Sequence, residues 1–294
     1  MSLTGYRVLI TGAGGQLGRA LQATAPPECE ILACSSAELD VTDPGLVRRL
    51  VELRRPTVVI HAAAYTAVDA AESHAERAEA VNAGGTRHVA EAVAEVGARL
   101  LHVSTDYVFD GAQGHPYAPG DAPNPLGVYG RTKLLAEQAV ARLLGARGLT
   151  VRTAWLYSAD GRNFARSMLR LMRERDEVSV VADRVGTPTW ARSLAGALWT
   201  AVACPDLHGI LHWSDAGVGS WYDFAVAIQE EGLAAGLLTR EVPVRPLASS
   251  DYPTPARRPT YSVLDTRTSR SALGLQPPHW RVNLRRMLQG MRHA

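Results

Sequence analysis

Two side chains four residues apart carry the sharpest chemical signal in the sequence. Tyr129 and Lys133, in Tyr129-Gly130-Arg131-Thr132-Lys133, share one face if the segment is helical. A tyrosine at its ordinary pKa of about 10 is a poor proton donor at neutral pH. A neighbouring ammonium favours the phenolate and lowers that value, which makes the pair a tuned general acid for a carbonyl oxygen. The same ammonium can hold a ribose hydroxyl. A lone Tyr-x-x-x-Lys is common by chance and far more often an exposed helix pair, so the surrounding elements decide. Upstream, Ser104-Thr105-Asp106-Tyr107-Val108-Phe109-Asp110 offers hydroxyls where a strand should end. One of them can hydrogen-bond a carbonyl beside the tyrosine, or merely cap a turn. Sequence order does not choose between Ser104 and Thr105.

The elements that must position these groups alternate. Strand-like runs at Arg7–Thr11, Glu30–Cys34, 57–62, 100–104 and 150–155 are separated by helical segments at 16–25, Pro44–Arg54, 75–96 and 129–144, with Asp43 a plausible N-cap. Such alternation predicts βαβ units and a parallel sheet covered on both faces. The first strand runs into Thr11-Gly12-Ala13-Gly14-Gly15-Gln16-Leu17-Gly18. Gly12, Gly15 and Gly18 there space a turn that lets backbone amides and a helix N-terminus approach a pyrophosphate. Following the first strand of a βαβ chain, it reads as a dinucleotide site rather than an ordinary connection. The second strand ends Cys34-Ser35-Ser36 with no acid at its tip, Glu38 and Asp40 coming later. A neutral tip tolerates a ribose 2′-phosphate, with Arg19 a candidate to reach it or else simply solvated, so NADPH is expected and NADH left open.

Past residue 156 prolines punctuate the chain and element spacing loosens. The expectation is α/β: a Rossmann-like doubly wound parallel sheet over 1–155 and a smaller C-terminal α/β substrate-binding domain over 156–294, with segments able to return to the first. The 294 residues, 46% hydrophobic, suffice for a sizeable core. The net charge of +2 is spread along the chain, which argues against nucleic acid or a membrane surface as partner. Charge carried mostly by arginine suits a site that clamps phosphates. Cys29, Cys34 and Cys204 match neither a zinc site nor a disulfide framework and fit a reducing compartment. No signal peptide is expected, and no apolar run nears the roughly 20 residues a bilayer needs, so the expected location is the cytoplasm.

These motifs resemble the extended short-chain dehydrogenase/reductase superfamily and, within it, the dTDP-4-dehydrorhamnose reductase family. The resemblance spans almost the whole chain. It is carried by Gly12 to Gly18, Leu39-Asp40-Val41-Thr42-Asp43, Ala62-Ala63-Ala64-Tyr65-Thr66-Ala67-Val68-Asp69, Ser104 to Gly111 and Tyr129 to Glu137. More discriminating are Asp183-Arg184-Val185-Gly186-Thr187-Pro188-Thr189 and Arg257-Arg258-Pro259 with Ser262-Val263-Leu264-Asp265. The resemblance implies reduction of the 4-keto group of a nucleotide-activated sugar. Tyr129 would give a proton to the C4 oxygen, Lys133 would hold the ribose and tune Tyr129, and Thr105 would meet the carbonyl. Gly15, Gln16 and Leu17 would lie on the pyrophosphate, Asp40 and Val41 on the adenine, and Ala63, Ala64 and Tyr65 along the cofactor. Asp106, Tyr107 and Trp155 would line the substrate, with Trp155 packed on the sugar. A homodimer is the family expectation. His61 stands where Asn is usual, Ala136 where Gly is, and Gly127 where Asn is. Some members carry Mg²⁺ through glutamates at a dimer interface, but Trp190-Ala191-Arg192 follows Thr189, so no metal is expected.

Arg257 and Arg258 sit among prolines, where fork-shaped cations suit a diphosphate; a solvated loop is the plainer reading. Asp183 and Arg184 read as a surface pair or part of a binding loop. Trp213 and Trp221 read as core or interdomain packing, and His208 and His212, flanking a short strand, as structural. Two other functions fit the motifs: another nucleotide-sugar epimerase, dehydratase or reductase, or a non-catalytic NADP-binding regulatory subunit like that of methionine adenosyltransferase.

Overall fold

The computed structural model describes residues 3–291. Five strands, β1 (Arg7–Thr11), β2 (Glu30–Cys34), β3 (Val58–His61), β4 (Arg99–Thr105) and β5 (Gly148–Thr153), alternate with helices α1 (Gln16–Ala23), α2 (Pro44–Arg54), α3 (Val68–Ser73), α4 (Ala75–Glu79), α5 (Gly85–Glu95) and α6 (Val128–Leu144). The strands run parallel in the order β5-β4-β3-β1-β2. Residues alternate between two cores. Val8, Ile10, Val58, Ile60 and Leu101 face one, and Leu9, Val59 and Leu100 the other, so the strands are apolar on both faces, as buried parallel strands must be. Asp43 caps α2 as expected, accepting the Leu46 N–H at 2.9 Å.

The single helix expected over 75–96 is interrupted. Ala80–Gly84 forms a π-helical turn between α4 and α5. Its widened loop turns Asn82 inward. Gly85 follows because Val41 presses on it: a Cβ there would lie 2.6 Å from Val41 Cγ2.

Beyond β5 come β6 (Leu156–Tyr157), α7 (Phe164–Glu174), β7 (Val178–Val181), β8 (Val185–Gly186), β9 (Thr189–Trp190), α8 (Ala191–Val202), β10 (Gly209–His212), β11 (Gly219–Ser220), α9 (Trp221–Ala234), β12 (Val244–Leu247), α10 (Arg267–Leu273) and α11 (Trp280–Met291). This stretch divides between two cores. β10 joins the main sheet beside β5, and Leu194, Leu198 and Val202 of α8 pack into the core shared with α1. By contrast α7, α9, α11 and β7 enclose their own core around Met172, Phe224, Ile228 and Leu284. No helix among the described residues is long and apolar enough to cross a membrane.

Candidate active site

The sheet order reverses at β1 and β3, and in such sheets the crevice past the strand ends is the ligand site. There the glycine turn is packed without slack. Gly12 sits at φ +68, and a Cβ on it would meet Ala63 at 2.7 Å; one on Gly18 would meet the Gly12 carbonyl at 2.3 Å. No side chain caps the α1 N-terminus and no acid lies in its first turn, so its amides and dipole are free for an anion. The residues present therefore fit a dinucleotide pyrophosphate. Gln16 Oε1 accepts hydrogen bonds from Ser158 Oγ (2.9 Å) and Asn163 Nδ2 (3.0 Å), which ties the turn to the second half of the chain.

The turn opens into a cleft of about 410 Å³ that also collects Thr105, Asp106, Tyr107, Tyr129, Lys133 and Trp155. Neighbouring residues on a strand point to opposite faces, and this separates the two candidate hydroxyls. Ser104 Oγ donates to Glu137 Oε1 at 2.5 Å, inside a buried pair in which Arg152 grips Glu137 at 2.7 and 2.9 Å. Thr105 Oγ1 instead donates to Asp106 Oδ1 at 3.1 Å and accepts the Tyr107 N–H at 3.2 Å, and it lies near enough to Tyr129 to favour that phenol's ionised form.

The expected lowering of the tyrosine is not found. Burial pushes Tyr129 up to about 12, the Thr105 hydrogen bond pulling the other way. Lys133 is turned elsewhere: its Nζ donates to the Val103 carbonyl at 2.7 Å and lies 3.2 Å from His102 Nε2. Burial carries Lys133 down to about 7, Glu137 opposing. Tyr129 is thus protonated at neutral pH, the state a proton donor requires. Asp106 is pushed up to about 7 by burial, against hydrogen bonds from Ser262 and Thr105; its Oδ2 is buried with no partner among the described residues.

Under the cleft floor, His61 closes a chain of hydrogen bonds with one consistent direction. The Ala63 N–H reaches Thr11 Oγ1 (3.3 Å), and the Thr11 hydroxyl meets His61 Nδ1 (2.7 Å). His61 Nε2 meets Thr86 Oγ1 (3.1 Å), whose hydroxyl donates to the Asn82 carbonyl (2.6 Å). The imidazole is neutral in this chain, and burial holds it down to about 3. Asn82 itself clasps the segment after β3, accepting from Tyr65 N (2.8 Å) and donating to Tyr65 O and Thr132 Oγ1. Sequence reading missed Asn82; the only available signal was a polar side chain inside an otherwise apolar helical pattern.

Other expected residues are distributed unevenly. Asp40 is exposed, its carboxylate engaged by Thr42 N and Oγ1 at 2.9 and 2.8 Å. The Val41 side chain is buried in the core, so it offers a ligand only its backbone. At the β2 tip the neutral surface expected from Cys34-Ser35-Ser36 is corrected. Glu38 folds back to accept the Ser35 N–H at 2.7 Å, and its carboxyl is held below its usual range by that bond. Arg19 folds onto the Gly14 carbonyl at 3.1 Å.

A second cavity of about 710 Å³ shares Thr66, Val68, Tyr107 and Trp221 with the first. Arg258 and Arg184 line it. Arg258 is anchored to Asp69 at 2.6 Å, whereas Arg184 Nε is buried without a partner among the described residues. Arg257 is exposed beside a narrow pocket next to Tyr129. Asp183 pairs with Ser249 rather than Arg184. Trp213 is core, but Trp221 is not only packing. It stacks on Trp155 at 3.6 Å and 9° where the two cavities meet. Trp155 lies just past β5 with φ +46, a backbone state that bulky residues rarely hold.

The family model described as RmlD substrate binding domain matches residues 6–293. The dTDP-4-dehydrorhamnose reductase of Burkholderia thailandensis is 42% identical over 288 residues, 94% of this chain and 95% of its own length. The enzyme of that name from Mycobacterium tuberculosis is 46% identical over 286 residues, 95% of this chain and 91% of its own. The crystal structure of the Bacillus anthracis dTDP-4-dehydrorhamnose reductase in complex with NADP matches with a TM-score of 0.90 at 39% identity, covering 96% of this chain and 98% of that one.

Proposed function

This chain belongs to the dTDP-4-dehydrorhamnose reductase family of oxidoreductases, and we propose that it reduces the 4-keto group of dTDP-4-dehydro-L-rhamnose to give dTDP-L-rhamnose, using NADPH. The observation that carries the reading is the meeting of Tyr129, Thr105 and Lys133 in one cleft with the open glycine turn. Reduced nicotinamide, when bound, supplies the hydride. Tyr129 delivers its proton to the C4 oxygen as negative charge develops there, and Thr105 hydrogen-bonds the same oxygen. Lys133, as an ammonium, holds the ribose and offsets the phenolate left on Tyr129. Gly12, Gly15, Gln16, Leu17 and Gly18 cradle the pyrophosphate; Asp40, the Val41 backbone, Ala63, Ala64 and Tyr65 flank the rest of the cofactor. Asp106, Tyr107 and Trp155 line the sugar, and Arg257 and Arg258 take the diphosphate. Residues 1–155 form the dinucleotide-binding domain, and 156–294 mainly the substrate-binding domain, with α8 and β10 given back to the first. The three free thiols suit a cytoplasmic enzyme, and the family expectation of a homodimer is retained.

A second reading of the cofactor is favoured by Glu38: a carboxylate at the β2 tip repels a 2′-phosphate and accepts a ribose hydroxyl, which points to NADH. NADP in the Bacillus anthracis relative supports the first. The ratio of kcat/KM for the two reductants decides between them. The function itself is tested by loss of reduced-nicotinamide absorbance on mixing protein, NADPH and dTDP-4-dehydrorhamnose. Tyr129→Phe should lower turnover ~10²–10⁴-fold, the usual worth of a general acid, while keeping cofactor affinity. Full activity in that variant rejects Tyr129 as the acid; no oxidation by the unaltered protein rejects the substrate.

A further inference from the structure

Lys133 is the sole lysine in the chain, among 31 Lys and Arg residues. An ammonium differs from a guanidinium in two ways that matter here: it has three rotatable donors on a point charge, and it can give up its proton. It accepts nothing, so every contact it makes must be to an acceptor. One N–H goes to the Val103 carbonyl at 2.7 Å. The second faces His102 Nε2 at 3.2 Å. The side chain borders the cleft, so a third N–H is left for it. His102 can receive the bond only if its ring proton is on Nδ1, and Nδ1 is buried with no partner among the described residues. A buried N–H without an acceptor is unfavourable. In that tautomer the unpaired Nδ1–H is what accepting from the ammonium costs the fold.

We propose that His102 is the positioning residue of Lys133: its neutral Nδ1–H imidazole accepts one ammonium N–H, and together with the Val103 carbonyl it aims the remaining one into the cleft. This deepens the reductase reading and rests on it. His102 is backed by His61, whose ring stacks on it at 5.5 Å and 26° and whose own nitrogens are engaged by Thr11 and Thr86. Both imidazoles are kept neutral by burial and by the lysine charge, so neither repels the ammonium. The other groups that face it are on α6 and past the end of β4. Glu137, one turn on, is bound by Arg152 and Ser104; Tyr129 lies one turn before; Asp106 lies across the cleft. Glu137 supplies only long-range attraction, and among the described residues His102 is the one side chain within hydrogen-bonding distance of Nζ.

A single lysine makes the test direct. With ¹³C-lysine incorporated, the unliganded protein has one side-chain resonance, and its pH midpoint reads Lys133 without any substrate. Replacing His102 by Leu removes the acceptor, and the midpoint should fall by a unit or more. His102→Gln can present an amide oxygen, and should return it to within about half a unit of the starting value. In turnover with NADPH, the alkaline limb should move in the same order. A midpoint and pH profile unchanged in His102→Leu overturn the proposal, because a merely structural histidine would lower stability without moving either. If the leucine variant does not fold, ¹⁵N shifts of the unaltered protein still decide: a proton on Nε2 of His102 overturns the proposal, and a proton on Nδ1 supports it. Absence of reductase activity in the unaltered protein would sink the reductase reading but leave the lysine titration and the tautomer readable.

Discussion

At the scale of single residues, neighbouring hydroxyls take unrelated jobs. Ser104 and Thr105 are chemically close, and each follows an apolar run, so their spacing carries no preference. The strand's alternation separates them: Ser104 is turned to the Glu137–Arg152 pair, and Thr105 to Tyr129 and the cleft. Substitutions should therefore give crossed phenotypes. Thr105→Val keeps the shape and removes the hydroxyl; kcat/KM should drop about 10²-fold or more, the scale of a lost donor to a developing oxyanion. Ser104→Ala removes a hydrogen bond to a charged group and should lower unfolding stability by about 1.5–3 kcal/mol, with kcat near its original value. Steady-state kinetics and urea unfolding on both variants check this. An equal loss of turnover in the two would mean that the strand does not divide them. The Tyr129–Lys133 pair was legible because helical spacing is a local property. The direction of the Tyr129 shift was not, since it depends on burial and on where Nζ finds acceptors, both set by β4.

At the scale of elements, α6 does two things one turn apart. Lys133 faces the cleft, and Glu137 reaches under the sheet to Arg152 on β5, where the guanidinium also lies 5.0 Å over the Phe109 ring. Both charges are almost wholly buried. Such a pair is weak evidence of net stability, but breaking it strands a charge. Glu137→Leu should therefore cost about 3–5 kcal/mol. Adding Arg152→Met, which removes the stranded partner, should recover most of that loss in urea unfolding. A double variant no better than the single would mean that the pair's contacts, rather than the orphaned guanidinium, hold the elements together. The strands and helices of the first half were readable because β-branched runs and glycine punctuation are local signals. The π-helical turn was not. Ala75 to Val96 is a good helical pattern, and the break exists because Asn82 finds Tyr65 and Thr132 in the folded protein. Trp221 packs on the second core as expected; that it also borders both cavities could not be read from an aromatic at a helix start.

At the scale of the whole molecule, the second half of the chain was the least legible, because its local pattern does not reveal that α8 and β10 complete the first core while α7, α9 and α11 build another. What joins these parts includes buried titratable groups, and their balance sets how the molecule responds to acid. His61 and His212 are held down to about 3 by burial, and His102 is also well below its ordinary value. Each stays neutral in the fold and takes up a proton on unfolding below about pH 6.5, its unfolded value. The stability these histidines contribute is present above that pH and is lost as pH falls toward 3. Asp106 and Asp215 act in the opposite sense. Burial raises them to about 7 and about 6, so their contribution is complete below about pH 4 and is lost as pH rises through those values. Near pH 5 the two aspartates release protons on unfolding while the three histidines bind them, so two uptakes are offset and about one net proton is taken up. Asp215, whose Oδ2 accepts the Trp190 N–H at 3.1 Å, is not among the residues lining the cleft and can be removed from this balance. Asp215→Asn should leave one more net proton taken up on unfolding. As pH is lowered from 5.4 to 4.8, its urea-derived stability should then drop more steeply than the original by about 1.4 kcal/mol per pH unit, the slope one proton imposes. Parallel slopes for the two proteins would mean that Asp215 is ionised in the fold, and that its buried oxygens are matched by partners stronger than the Trp190 amide.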